Sequence, residues 1–340
     1  MMSSTTSIDG QEAPHQELTR SRTRFGDPVF KGISTVSGWS ILAILAAVAF
    51  FLVWLALPAL TAPPSSTEGL TFKEKLQYGG DKNFWQYVLP YAFGTVWSSI
   101  LAMMFAVPVA IGIALFISHY APRKLAVGLG YIVDLLAAVP SVVFGLWGIQ
   151  VFAPMTVPLY SWLNETFGHL PVLRWVFGAD ASATGRSILT AALVLAIMIL
   201  PIITALTREV FLQTPTLHEE ASLALGATQW EMIRQAVFPF GIAGIVSACM
   251  LGLGRALGET MAVAMVLSGS DHFSFQLLTS NSDITTNTIA ASIAQNRAEA
   301  HDLGLNQLIA SGLVLFVITL AVNMTARAIL ARRKEFSGAN

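Results

Sequence analysis

Six apolar stretches, at about residues 36–59, 89–118, 125–152, 187–207, 239–267 and 305–328, each approach or exceed the roughly 20 residues a helix needs to cross the hydrocarbon core of a bilayer. In lipid, each segment must satisfy its own backbone polar groups, so the runs are expected to be helices. The fold class that follows is all-α, a polytopic membrane protein with six transmembrane helices. Hydrophobic residues make up 54% of the 340 and charged residues 11%, which excludes an ordinary soluble domain. No polar stretch exceeds about forty residues, too few for an ATPase or a ligand-binding domain. Such functions must come from partners, and nothing in a net charge of −1 points to nucleic acid. Cys249, the only cysteine, lies in an apolar run, so neither a disulfide framework nor a thiol metal site is expected.

Residues 1–30, rich in Ser, Thr and Arg, read as a disordered cytoplasmic tail, and residues 31–335 as the membrane domain. A signal peptide is not expected, although Leu60-Thr61-Ala62 has the form of a cleavage site. Prolines 108, 140 and 201 fall inside spans, where neighbouring helices can satisfy the backbone they free. Placing the N-terminus in the cytoplasm puts twelve Lys and Arg residues inside and six outside. The positive-inside rule therefore favours both termini inside. The outer loop 153–186 carries Tyr160, Trp162 and Trp175, which suit a membrane interface. The second outer loop, 268–304, is polar and holds a candidate short amphipathic helix at 288–300. Both loops read plainly as solvated connections, or functionally as docks for an external binding protein.

The long cytoplasmic loop, 208–239, contains Thr214 to Pro239. Thr216-Leu217-His218-Glu219 and Thr228-Gln229-Trp230-Glu231 are both capping-box patterns, and Gly226 between them can adopt the left-handed conformation that ends a helix. A short helix, a glycine corner and a second helix entering the membrane are expected.

Three charges fall well inside the apolar runs: Asp134, Arg255 and Glu259. Charges there are costly and commonly mark a transport path. Arg255 and Glu259, four apart, would share one helix face. A guanidinium remains charged and donates paired bonds to phosphate or sulfate, with Glu259 competing for the same donors. The plain alternative is a static ion pair. Asp134, roughly 15 Å deep at 1.5 Å per residue from the basic Arg123-Lys124 turn, would pair with Arg255 or with a partner subunit. Gly254 and Gly258 form a small-xxx-small pair that admits another helix.

Glu220-Ala221-Ser222, Gly226 and, nine residues on, Ala236-Val237-Phe238-Pro239 resemble the EAA loop of type I ABC importer permeases, with Ser222, Ala236 and Phe238 departing from its usual form. Gly252 to Val263, GLGRALGETMAV, resembles the phosphate-specific permeases, the PstC branch more than its PstA sister. Pro140 to Gly145 and Val107 to Phe116 agree, and the likeness covers most of 88–330. It implies a type I permease architecture and a phosphate importer in the bacterial cell membrane. Its other parts would be a PstA-like permease, PstB-like ATPases binding ATP and Mg, and an extracytoplasmic PstS-like phosphate-binding protein. The coupling positions would be Glu219, Glu220, Ala221 and Gly226, and the pathway residues Arg255, Glu259 and Asp134. A permease for sulfate or molybdate, or an ion-gradient-driven carrier, remains an alternative. No H-E-x-x-H, G-x-S-x-G or G-x-x-x-x-G-K-[ST] pattern occurs, so no enzymatic site or nucleotide loop is expected in this chain.

Overall fold

The apolar runs do form helices. The computed structural model describes residues 26–61, 83–171, 173–178, 180–267, 272–279 and 285–336. In order they are α1 (Gly26–Thr61), α2 (Phe84–Leu115), α3 (Arg123–Ala137), α4 (Ser141–Trp147), α5 (Ala153–Phe167), α6 (Arg174–Phe177) and α7 (Ile188–Leu212). Then come α8 (Thr216–Ala224), α9 (Gln229–Met232), α10 (Phe238–Leu257), α11 (Met261–Val266), α12 (Ile289–Asn296) and α13 (Asp302–Phe336). Six helical stretches among the described residues are long and apolar enough to cross a membrane. The chain divides into two units at Phe50. The first contributes the opening turns of α1, whose Phe30, Trp39 and Leu45 are exposed. The expected tail lies outside the described residues as far as 25, and 26–30 are helical instead of disordered.

The second unit is organised around α7, whose most apolar stretch is 72% buried, far more than that of any other candidate span. Alanines 102, 106 and 110 of α2 lie in one core with Ala191, Ala192, Leu195, Ile199 and Ile203 of α7. Small residues let the two backbones approach closely. On another side of α7, Gly241, Gly244 and Gly252 of α10 face Phe211, Val210 and Ile203, where an added Cβ would press on those side chains. A smaller core joins Ala310 of α13 to Tyr87 and Val88 at the start of α2.

Two expectations need correction. The run 125–152 is not one helix: it breaks at Ala138–Pro140, and Pro140, extended at φ −60°, ψ 139°, precedes α4. Proline has no N–H to donate and disfavours helical geometry in the residue before it. The broken path still runs along α7: Asp134 pairs with Arg208, and a Cβ on Gly148 would meet Val194. Both intervals are fourteen residues, about 21 Å at 1.5 Å per residue. Although 141–167 is long and apolar enough to cross a membrane, α5 therefore lies at the far end of α7. There Tyr160 is fully buried and shares a 2.7 Å hydrogen bond with Thr190, so it is not an interfacial residue. Secondly, part of the loop 268–304 is core. The expected short helix forms as α12, capped by Thr288, but Ile289 to Ser292 are buried and the Ile289 N–H donates to Thr95 Oγ1 at 2.9 Å.

Candidate functional site

Two regions carry the candidate residues, one at each end of the continuous helical segment that runs from α9 through the π turn Ile233–Val237 into α10. The first is the polar loop. Pro215, at φ −62° and ψ 124°, takes the cap position of α8, so Thr216 is already helical and the first expected capping box does not form. Glu219 turns instead to His119, with Oε1 3.4 Å from Nε2. The second box does form: the Glu231 N–H donates to Thr228 Oγ1, and the Thr228 N–H donates to Glu231 Oε2 at 2.8 Å. Gly226 between the helices has φ +88°, the left-handed region expected of it. No residue of α8 is buried, and Glu220 and Ala221 are exposed beside Leu217 (74%) and Leu225 (91%). A cleft of about 610 Å³ opens there, lined by His218, Ala221, Ser222, Gly226, Glu231 and Phe240. Beneath it Met232, Ile233 and Val237 pack on Phe211 and Ile245.

His119 ties this loop to the bundle. The π turn Phe116–Tyr120 prolongs α2 and places the imidazole between Ser118, whose Oγ is 2.7 Å from Nδ1, and Glu219. The ring lies edge to face with Phe211 of α7, and the His119 carbonyl accepts from Gln229 Nε2 of α9 at 2.8 Å. No local sequence pattern marks His119, because Phe211, Glu219 and Gln229 lie 92 to 110 positions away.

The second region holds the intramembrane charges. Arg255 and Glu259 do not share a helix face, because α10 ends at Leu257, with Gly258 at φ −94°, ψ 1°, and α11 begins at Met261. Glu259, 8% exposed, accepts the Ala262 N–H at 3.1 Å and so closes the start of α11. The other end of α11 is closed by Arg186, which donates to the carbonyls of Val266 and Met265 at 3.2 and 3.3 Å. A carboxylate at the first turn and a guanidinium at the last both suit the helix dipole. By sequence Arg186 is only the last residue of the outer loop 153–186. Arg255 itself is exposed and has no hydrogen bond or ion pair among the described residues. It lines a cleft of about 830 Å³ between α10 and α13, with Ser247, Gly254, Asn323 and Arg327. Gly254 faces open space, whereas Gly252 is the glycine that packs on α7.

Asp134 joins neither of these residues. Its carboxylate lies 3.8 Å from Arg208, one turn before α7 ends, and is 54% exposed, so the pair sits near an end of the bundle. Gly130 makes room for that guanidinium, which a Cβ would strike.

A family model described as "binding-protein-dependent transport system inner membrane component" matches residues 106–335. The chain is 43% identical over 313 residues to the phosphate transport system permease protein PstC 2 of Mycobacterium tuberculosis, covering 90% of this chain and 92% of that protein. It is 42% identical to PstC of Mycobacterium leprae, with coverages of 92% and 95%. Among solved structures, a bacterial ABC transporter involved in the import of the acidic polysaccharide alginate matches with a TM-score of 0.50 and 17% identity. That match covers 89% of this chain and 99% of the other, and it speaks for the fold alone.

Proposed function

The chain belongs to the family of binding-protein-dependent transport system inner membrane components, and from that membership we propose that it is a permease subunit of an ATP-driven phosphate importer. The observation that carries this reading is identity above 40%, over nine tenths of the chain, to proteins named as phosphate transport permeases. The site agrees in chemistry. Arg255 faces a cleft of about 830 Å³ and has no hydrogen-bond partner among the described residues, and a guanidinium offers phosphate paired, charge-assisted bonds without titrating.

In this reading the chain is half of a pore. A homologous permease subunit supplies the other half, an extracytoplasmic binding protein delivers phosphate, and separate ATPase subunits bind ATP with Mg. Those subunits hold α8 by its exposed Leu217, Glu220 and Ala221 and by Leu225, which follows it. Gly226 turns that helix without strain, and the capped α9 runs on into α10, so a displacement of α8 reaches the helix that bears Arg255. His119 passes the same displacement to α2. Glu259 and Asp134 serve the path indirectly, the first by fixing α11 after Arg255 and the second by neutralising Arg208.

The test is labelled phosphate uptake into proteoliposomes that hold the chain with its co-purifying membrane and ATPase subunits, given binding protein outside and ATP inside. Uptake should require ATP and survive an ionophore, and sulfate or molybdate should compete poorly. Uptake that ignores ATP and collapses with the ion gradient would establish a secondary carrier instead. Arg255→Gln should abolish uptake while leaving the complex assembled.

A further inference from the structure

We propose that Asn323 and Arg327 form a second anion station, displaced from Arg255 toward the polar-loop end, and that a tetrahedral oxyanion passes between the two arginines along the cleft. This rests on the phosphate reading above. The cleft is lined mainly by two helix stripes, Ser247, Met250, Leu251, Gly254 and Arg255 on α10, and Leu320, Asn323, Met324 and Arg327 on α13, with Ile202 of α7 beside them. These spacings, of three and four residues, each keep to one helix face. The lining holds two guanidinium groups, an amide and a hydroxyl, with no carboxylate. Arg327, like Arg255, has no hydrogen bond or ion pair among the described residues. Its volume of about 830 Å³ would hold more than twenty waters at ~30 Å³ each, ample for an oxyanion with much of its hydration.

The direction follows from packing. Ala310 of α13 lies with Tyr87 and Val88 at the start of α2, and Arg327 is seventeen residues further on, about 25 Å. Gly244 of α10 sits by Val210 and Gly252 by Ile203, so α10 climbs away from the polar loop as α13 descends toward it. Arg327 is therefore on the loop side of Arg255. Two cations that face one cavity, with no counter-ion among the described residues, repel each other unless an anion lies between them. A single strong site would hold the anion; two weaker ones, sharing it, allow entry and release.

The experiment uses the assembled complex in proteoliposomes, comparing wild type with R255Q, R327Q, R327K and N323A at varied external phosphate. Replacing Arg327 by Gln should lower the maximal rate about tenfold or more, the scale of a lost charge-assisted bond pair. The half-saturating phosphate concentration should not change, because capture occurs outside. R327K should recover part of the rate, and N323A should lose less than R327Q. Wild-type uptake by an assembled R327Q complex, with R255Q inactive, would overturn the second station and leave the phosphate reading intact. A wild-type complex that imports no phosphate would overturn both. A lipid phosphodiester has the same recognition chemistry, so the series is repeated in vesicles with and without anionic lipid. Equal losses in both support the station, and a loss confined to anionic vesicles assigns Arg327 to lipid and overturns it.

Discussion

Glu259 shows how much a single acceptor can decide. Its carboxylate closes α11 through the Ala262 N–H, so Glu259→Ala should cost about 1 kcal/mol, typical of a lost cap, and lower the thermal midpoint of the solubilised protein. Glu259→Gln keeps an acceptor oxygen and should cost less. Equal losses in the two variants would mean that charge, not the hydrogen bond, holds the turn. Once the Gln variant is shown to fold, its phosphate uptake reports on the charge alone. Arg255 was legible in the sequence, because a cation in an apolar run stands out whatever its partners. Its pairing was not legible: Gly-Leu-Gly-Arg-Ala-Leu-Gly-Glu-Thr fits a continuous helix as well as one ending at Gly258, and only packing against Arg186 and α12 selects the break. Gly226 was legible for the opposite reason. A positive φ between two helix starts has few residues able to adopt it.

At the scale of elements, the π turn after α2 and the capped corner before α9 meet at His119. His119→Ala removes the contacts to Glu219 and Phe211 while leaving the backbone carbonyl that binds Gln229. We expect an assembled complex that still hydrolyses ATP but imports about fivefold less phosphate per ATP, a loss on the scale of one hydrogen bond. An unchanged ratio of phosphate to ATP would reduce His119 to a packing residue. Most helices were readable from apolar runs, since lipid leaves the backbone no alternative. Three features were not. Pro140 breaks its run while Pro108 and Pro201 stay inside continuous helices, a difference that depends on neighbours. Thr216 lost its capping role to Pro215, which the spacing rule does not weigh. The polar segment around Thr288 is buried because Thr95 and Gln295 satisfy its backbone and that of α11 from other helices.

At the largest scale, α7 relates the two ends of the second unit. Its 25 residues span about 37 Å, with Arg208 and the polar loop at one end and Thr190, bonded to Tyr160, at the other. If α7 crosses the membrane, Leu225 and Trp175 must lie on opposite faces, and the excess of basic residues predicts the cytoplasmic face for Leu225. This is testable because the chain has a single cysteine. With Cys249 replaced by Ala, Leu225→Cys and Trp175→Cys place a thiol at positions that are 91% and 73% exposed. A membrane-impermeant maleimide should label Trp175→Cys in intact spheroplasts and Leu225→Cys only in inverted vesicles. The reverse pattern would put the loop beyond reach of any cytoplasmic ATPase and remove the coupling role from α8. Labelling of both from one face would mean that α7 does not cross, and the path from Arg255 toward Arg327 would then have no membrane to traverse. The predicted pattern, combined with protection of Leu225→Cys when ATPase subunits are bound, would locate coupling and anion passage on one continuous helical segment, from α9 to Arg255.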